Sequence, residues 1–172
     1  MGTTQDRRRF LKQTARASAA LAATGAGLGA AGRTVTAQAS PDLVRFDHVA
    51  VPMRNTAAMV DFYRGLGFEL MEGERIVSVH FGDSKINFHR PEIWESGTFT
   101  LRAPEAVPPC GDFCFVWGGS AAALEQALER VGAVVIEGPA PRQGGRNGGL
   151  DTGTSRYIRD PDGNLLEFII YP

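Results

Sequence analysis

The sequence is short of the side chains that most often hold metals or make redox bonds. Its 172 residues include only three histidines, His48, His80 and His89, and two cysteines, Cys110 and Cys114. Four extended residues span roughly 13 Å, beyond disulfide reach. No bridge is therefore expected unless the chain turns sharply at Pro108 and Pro109. Cys114, inside "DFCFVW", reads as a small apolar core residue. No run approaches the about 20 apolar residues of a membrane-spanning helix. The glycine-rich stretch 142–153, "RQGGRNGGLDTG", lacks the GK[ST] ending of a phosphate loop. It reads as a mobile loop over a pocket. Excess positive charge is missing too: the formal net charge is −1, which argues against nucleic acid as a partner.

What basic charge there is lies at the start. "DRRRFLK" (6–12) precedes an Ala/Gly-rich run at 15–31 and a small-x-small site near Ala37 and Ala39. Arg7 and Arg8 in that setting resemble the twin-arginine export signal. The expectation is an export leader over 1–39, a periplasmic product with no stable membrane anchor after cleavage, and one domain over 40–172. The leader carries six Lys/Arg and one Asp, leaving 12 basic and 18 acidic residues, a formal charge of −6.

The remaining residues pass twice through similar elements. "VRFDHVAVPM" (44–53) reads as a strand, Asn55 as the cap of a helix through Met59, Phe62 and Tyr63, and 68–73, 76–82 and 85–90 as strands. Then "DFCFVW" (112–117) reads as a strand. Ser120 caps a helix through Leu124, Leu128 and Val131, and 133–138, 155–160 and 164–171 read as strands. "LGFELMEG" (66–73) and "VGAVVIEG" (131–138) match at an offset of 65. The fold class is α+β, two tandem βαβββ modules at about 44–90 and 111–171, with a connector at 91–110 whose Trp94 and Phe99 pack against the body. In the closing stretch, Pro161, Asp162 and Gly163 make a turn that sets the register of the last strand. That strand buries a lone acid, Glu167, among apolar residues.

"HVAV", "DFYRGLGF", "KINFH" and "RDPDGNLLEF" together resemble the vicinal-oxygen-chelate superfamily of glyoxalases, bleomycin-resistance proteins and extradiol dioxygenases. The resemblance covers about 44–171. It implies that each module curls its sheet into half of a cup, with helices outside and a divalent metal (Fe, Mn, Ni or Zn) between the halves. Relatives often dimerise, and some build the cup across two chains; the resemblance thus allows a homodimer and leaves open whether the cup forms within one chain or across two.

Ligands in that superfamily come from the first and fourth strands of each module. The implied set is His48, His89, Asp112 and Glu167. Asn87 rivals His89, since "INF" (86–88) matches "LEF" (166–168) and puts Asn87 opposite Glu167. Phe113 rivals Asp112 as the counterpart of His48, and relatives usually carry His there. Glu167 has its own alternative, a salt bridge to Arg156 or Arg159. His80 and Tyr157 are candidates to line the cup, and Glu167, His80 and Tyr157 are the candidate catalytic groups. The implied function is a metal-dependent enzyme acting on a small oxygenated substrate, by glyoxalase-type isomerisation or lyase chemistry or by extradiol-type dioxygenation. The alternative is a metal-free protein that sequesters a small ligand.

Overall fold

A computed structural model describes residues 42–172; the expected leader at 1–39 lies outside them. The first module runs β1 (His48–Pro52), α1 (Thr56–Gly65), β2 (Glu69–Glu72), β3 (Ile76–Phe81) and β4 (Ser84–His89). A short helix α2 (Pro91–Trp94) opens the connector. The second module runs β5 (Asp112–Val116), α3 (Ala121–Arg130), β6 (Glu137–Gln143), a 3-10 turn (Arg146–Gly149), β7 (Thr152–Arg159) and β8 (Leu165–Ile170). The two four-stranded sheets have orders β1-β4-β3-β2 and β5-β8-β7-β6. β1 lies parallel to β4 and β5 parallel to β8, while the other pairs are antiparallel. Both sheets thus repeat one topology, as the duplicated sequence implies.

Alternation along each strand separates two faces. One face of the first sheet buries Val51, Val77, Val79, Ile86 and Phe88 against Met59, Phe62 and Tyr63 of α1. One face of the second buries Phe115, Leu166 and Phe168 with Leu124 and Leu128 of α3. These two faces share one core. Phe115 lies 5.0 Å from Phe68 and 5.2 Å from Phe81, ring centre to ring centre. The helices meet as well, since a Cβ added at Gly65 would run into the Val131 side chain.

The turn after β7 ties the modules together. Asp162, 5% exposed, accepts from the Arg54 amide at 2.5 Å and from the Asn55 amide and side chain at 3.0 Å each. It thereby satisfies amides at the entry to α1 that the helix itself cannot. Asn55 is the N-cap residue but makes no side-chain cap bond of its own; its amide side chain serves Asp162 instead. Asn164 accepts from the Cys110 and Gly111 amides at 3.1 and 2.8 Å, fixing the entry to β5. Asp160 accepts from Tyr63 Oη at 3.0 Å and from Asn164 Nδ2 at 2.8 Å. Gly163 supplies the positive φ (92°) that the turn requires.

Three expectations shift. The run 133–138 is not a strand up to Glu137: Val134 and Ile136 stay 74% and 51% exposed, and the strand is Glu137–Gln143. β7 pairs with residues from Glu137 onward, so the β-branched run is left with a single ladder bond, Ile136 N to Tyr157 O at 2.8 Å. Pro139 and Pro141 are tolerated because β6 is an edge. The stretch 142–153 is only partly loop, because β6 and β7 extend into it from both sides. Cys114 is exposed rather than buried, since Phe113 and Phe115 take the core side of β5; both cysteines are free thiols. In the connector, Trp94 Nε1 donates to Met53 O at 2.8 Å, and Phe99 packs edge-on against His89.

Asp162→Ala removes a buried charged acceptor from three donors, two of them amides with no other partner. It should lower the unfolding free energy by about 3 kcal/mol, measured by urea denaturation. The exposed Asp61→Ala should change it by less than about 0.5 kcal/mol. A loss for Asp162→Ala as small as that of Asp61→Ala would show that the turn does not tie the modules.

Candidate functional site

The polar side chains of interest sit on the sheet faces turned away from the shared core. On the first sheet, register pairs His48 with Lys85 and Lys85 with His80, then Ala50 with Asn87 and Asn87 with Ser78. All these residues share one face. On the second, Cys114 pairs with Glu167 and Glu167 with Tyr157, while Asp112 pairs with Leu165. Because Ala50 stands beside Asn87 as Cys114 stands beside Glu167, the register equates His48 with Asp112 and Asn87 with Glu167. His89 then corresponds to Ile169.

His48 is half exposed, and its Nδ1 lies 2.6 Å from Asp47 Oδ1. The hydrogen bond to His48 holds the Asp47 carboxyl below its usual range. A carboxylate on Nδ1 fixes the tautomer that leaves Nε2 with its lone pair, the arrangement common behind metal-ligating imidazoles.

Glu167 is half-buried, and its neighbours are donors rather than cations. Ser155 Oγ donates to its Oε1 at 2.5 Å, and Cys114 and Tyr157 flank it on the neighbouring strands. Arg142 Nε donates to Tyr157 Oη at 3.0 Å, with its guanidinium 5.4 Å from the ring centre. The phenol oxygen therefore accepts from Arg142, which leaves its own proton for another acceptor. The salt-bridge alternative is not what forms: Arg156 Nη2 binds Glu125 Oε1 at 2.7 Å on the helix side, and Arg159 Nη1 binds Gly163 O at 2.8 Å.

His89 has other surroundings. It is 4% exposed, its Nδ1 has no partner, and Phe99 covers it at 4.9 Å. Burial first, then the charges of Arg102 and Arg75, push its pKa down. The same positive charges disfavour a divalent cation at this imidazole. Asn87 Oδ1 accepts from Ser78 Oγ at 2.7 Å. His80 lies on the same face with its Nε2 buried and unpartnered.

Among the described residues, no three His, Cys, Asp or Glu side chains converge as a metal site. His48 and the Asp112/Glu167 pair stand on different sheets, each facing away from the core that the sheets share. Asp47, Arg142 and Ser155 carry no local pattern that marks them, and Cys114 reads by type as core; the period-2 alternation that puts Cys114 and Asp112 on one face is the signal for it. Beyond Glu167, toward the open end of the second sheet, lies a cleft of about 600 Å³ lined by Cys114, Trp117, Arg146, Ile169 and Tyr171.

A profile described as the Glyoxalase/Bleomycin resistance protein/Dioxygenase superfamily matches residues 45–168. The chain belongs to that superfamily. Among its superfamily relatives is the glyoxalase domain-containing protein RDO1 of Mycosarcoma maydis, 32% identical over 126 residues, 73% of this chain and 67% of the relative. The virulence protein STM3117 of Salmonella typhimurium is 30% identical over 129 residues, 74% of this chain and 84% of the relative. Its crystal structure superposes with a TM-score of 0.64 over 75% of this chain and 98% of that one. An integron cassette protein from the mobile metagenome of V. cholerae is 27% identical, with a TM-score of 0.64 over 75% and 96%. The two-module superfamily fold read from the sequence is the fold that forms.

Partial desolvation of the Cys114 thiol, and then the Glu167 carboxylate beside it, push its pKa up to about 12. Iodoacetamide at pH 8 should alkylate Cys114 about a thousandfold more slowly than a thiol at the ordinary 9.0. Glu167→Gln should speed the reaction severalfold, followed by mass spectrometry of the labelled peptide. Ordinary reactivity in both proteins would remove Glu167 from contact with the thiol.

Proposed function

We propose that this protein is an exported, metal-dependent enzyme of the superfamily, acting on a small oxygenated molecule. Its site would be assembled from module one of one copy and module two of another. The observation that carries the reading is the equivalence of His48 with Asp112 and of Asn87 with Glu167 on two faces turned away from the shared core. The donor chemistry fits in halves rather than within one chain: His48, oriented by Asp47, from one copy, and Asp112 and Glu167 from the other. One imidazole and two carboxylates suit Fe(II), Mn, Ni or Zn. His89 leaves the donor set because of the positive charges of Arg102 and Arg75.

A divalent ion held by His48, Asp112 and Glu167 would supply Lewis-acid polarisation of neighbouring substrate oxygens. The protein's own part is proton handling. Glu167 carries the basic oxygen, and Ser155 holds it in orientation. Tyr157, its hydroxyl bonded by Arg142, stands on the neighbouring strand. His80, across the sheet from His48, is a further acid/base group once the faces meet. Glyoxalase-type isomerisation or lyase chemistry and extradiol-type dioxygenation both use this equipment.

The absence of a three-donor cluster within one described chain favours a second reading, a metal-free protein that sequesters a small ligand. Mixing His48→Ala with Glu167→Gln chains separates the two. Neither variant alone should bind metal stoichiometrically. Random mixed dimers would restore one intact site in half of the population, about a quarter of the wild-type metal content, read by elemental analysis after gel filtration. No metal in the wild type would leave the sequestering reading. Metal in the wild type with no recovery on mixing would overturn the shared site. Export by the twin-arginine route is the companion proposal: replacing Arg7 and Arg8 with Lys should retain the protein inside the cell, and normal export would sink it.

A further inference from the structure

The cleft beside Glu167 has a composition of its own. Trp117, Ile169 and Tyr171 give it apolar and aromatic walls, and Arg146 is the one charged residue that lines it. The Arg146 guanidinium lies 5.1 Å from the Tyr171 ring centre, and its Nε is 3.2 Å from Asp151 Oδ2. That geometry occupies one edge of the guanidinium and leaves its terminal nitrogens for another acceptor.

Four glycines, Gly118, Gly119, Gly144 and Gly145, complete the wall, and they fall into two kinds. A Cβ at Gly119 would press on Trp117, and one at Gly144 would run into Tyr171, so packing explains both. A Cβ at Gly118 or Gly145 would meet nothing within 4 Å. Neither has a positive φ, and Gly145 sits at φ −77°, ψ −9°, ordinary for any residue. Glycine at such a position adds flexibility to the unfolded chain without helping the folded one. Neither backbone nor packing asks for glycine there. What the two positions do is keep the cleft open.

We propose that this cleft binds a flat aromatic carboxylic acid, its ring against Ile169 and Tyr171 and its carboxylate on Arg146. The volume is in the range of small-molecule sites, the aromatic walls suit a ring, and a guanidinium recognises a carboxylate in a plane. The proposal deepens the enzyme reading, and rests on it only in taking this face as the substrate face. It requires no metal.

The test uses the full chain and 1-naphthoate as the probe, by calorimetry and Trp fluorescence, once with chelator and once with added Zn(II). 1-Naphthoate should bind saturably, about tenfold tighter than either 1-naphthalenemethanol or cyclohexanecarboxylate. Arg146→Gln should cost about tenfold in naphthoate affinity, and Gly118→Leu, which fills open space, at least as much. Asp151→Asn should tighten binding, because it frees the guanidinium from a competing carboxylate. Unchanged thermal melting identifies variants that fold normally. Absence of saturable binding, equal binding of the neutral alcohol, or full affinity in Gly118→Leu would each overturn the proposal. Binding that persists in chelator while the wild type takes up no metal would uphold the cleft and reject the metal-dependent reading. Metal uptake without naphthoate binding would do the reverse.

Discussion

Two carboxylates and one carboxamide in the turn between β7 and β8 hold this fold in register. Asp162 reaches across to the start of α1, Asn164 to the start of β5, and Asp160 to the buried hydroxyl of Tyr63. The modules are therefore joined by more than their shared core: the last hairpin of the second serves as the N-terminal cap of the first. Hydrogen bonds of this type are directional, whereas apolar packing tolerates sliding. They decide which of several possible packings of two amphipathic modules the chain adopts. Burial also raises the pKa of Asp160, as expected for a carboxylate taken out of water.

That choice has a functional consequence. By packing the helix-bearing faces together, the chain turns the other two sheet faces outward, and His48, Asn87, Asp112 and Glu167 go with them. Each outward face still carries local order: a carboxylate behind His48, and the Ser155 hydroxyl donating to Glu167. The side chains that carry chemistry are thus oriented by contacts within their own module. Among the described residues the two groups do not come together as one three-donor cluster.

Much of this was legible in the sequence because the fold is built from period-2 and period-3.6 patterns repeated twice. Element order, the Ser120 cap and the importance of the "DPDGN" turn could all be read from it. What could not be read was long-range pairing. The valine-rich run at 133–138 has strand propensity, but β7 chose the proline-bearing residues after it. Cys114 looked like a core residue by type, and alternation put it on the outward face. His89 looked like a ligand by type and position. Phe99, which the connector lays against it, and the charges of Arg102 and Arg75 come from outside its own strand, so no local pattern announces them. For Glu167 the turn that fixes its strand also fixes its face, which is legible; its hydrogen bond from Ser155 is a cross-strand contact that is not.

The prolines of β6 settle a different question. An edge strand offers unpaired donors and acceptors to any extended chain that drifts past. At Pro139 and Pro141 there is no amide hydrogen to offer, and the ladder to β7 is irregular between Glu137 and Ala140. Strand addition on this side is blocked. Self-association by sheet extension, whether orderly or leading to aggregates, is thereby directed away from β6 and toward the edges formed by β1, β2 and β5. A local oddity of composition in one strand gives the whole molecule a preferred side for meeting others.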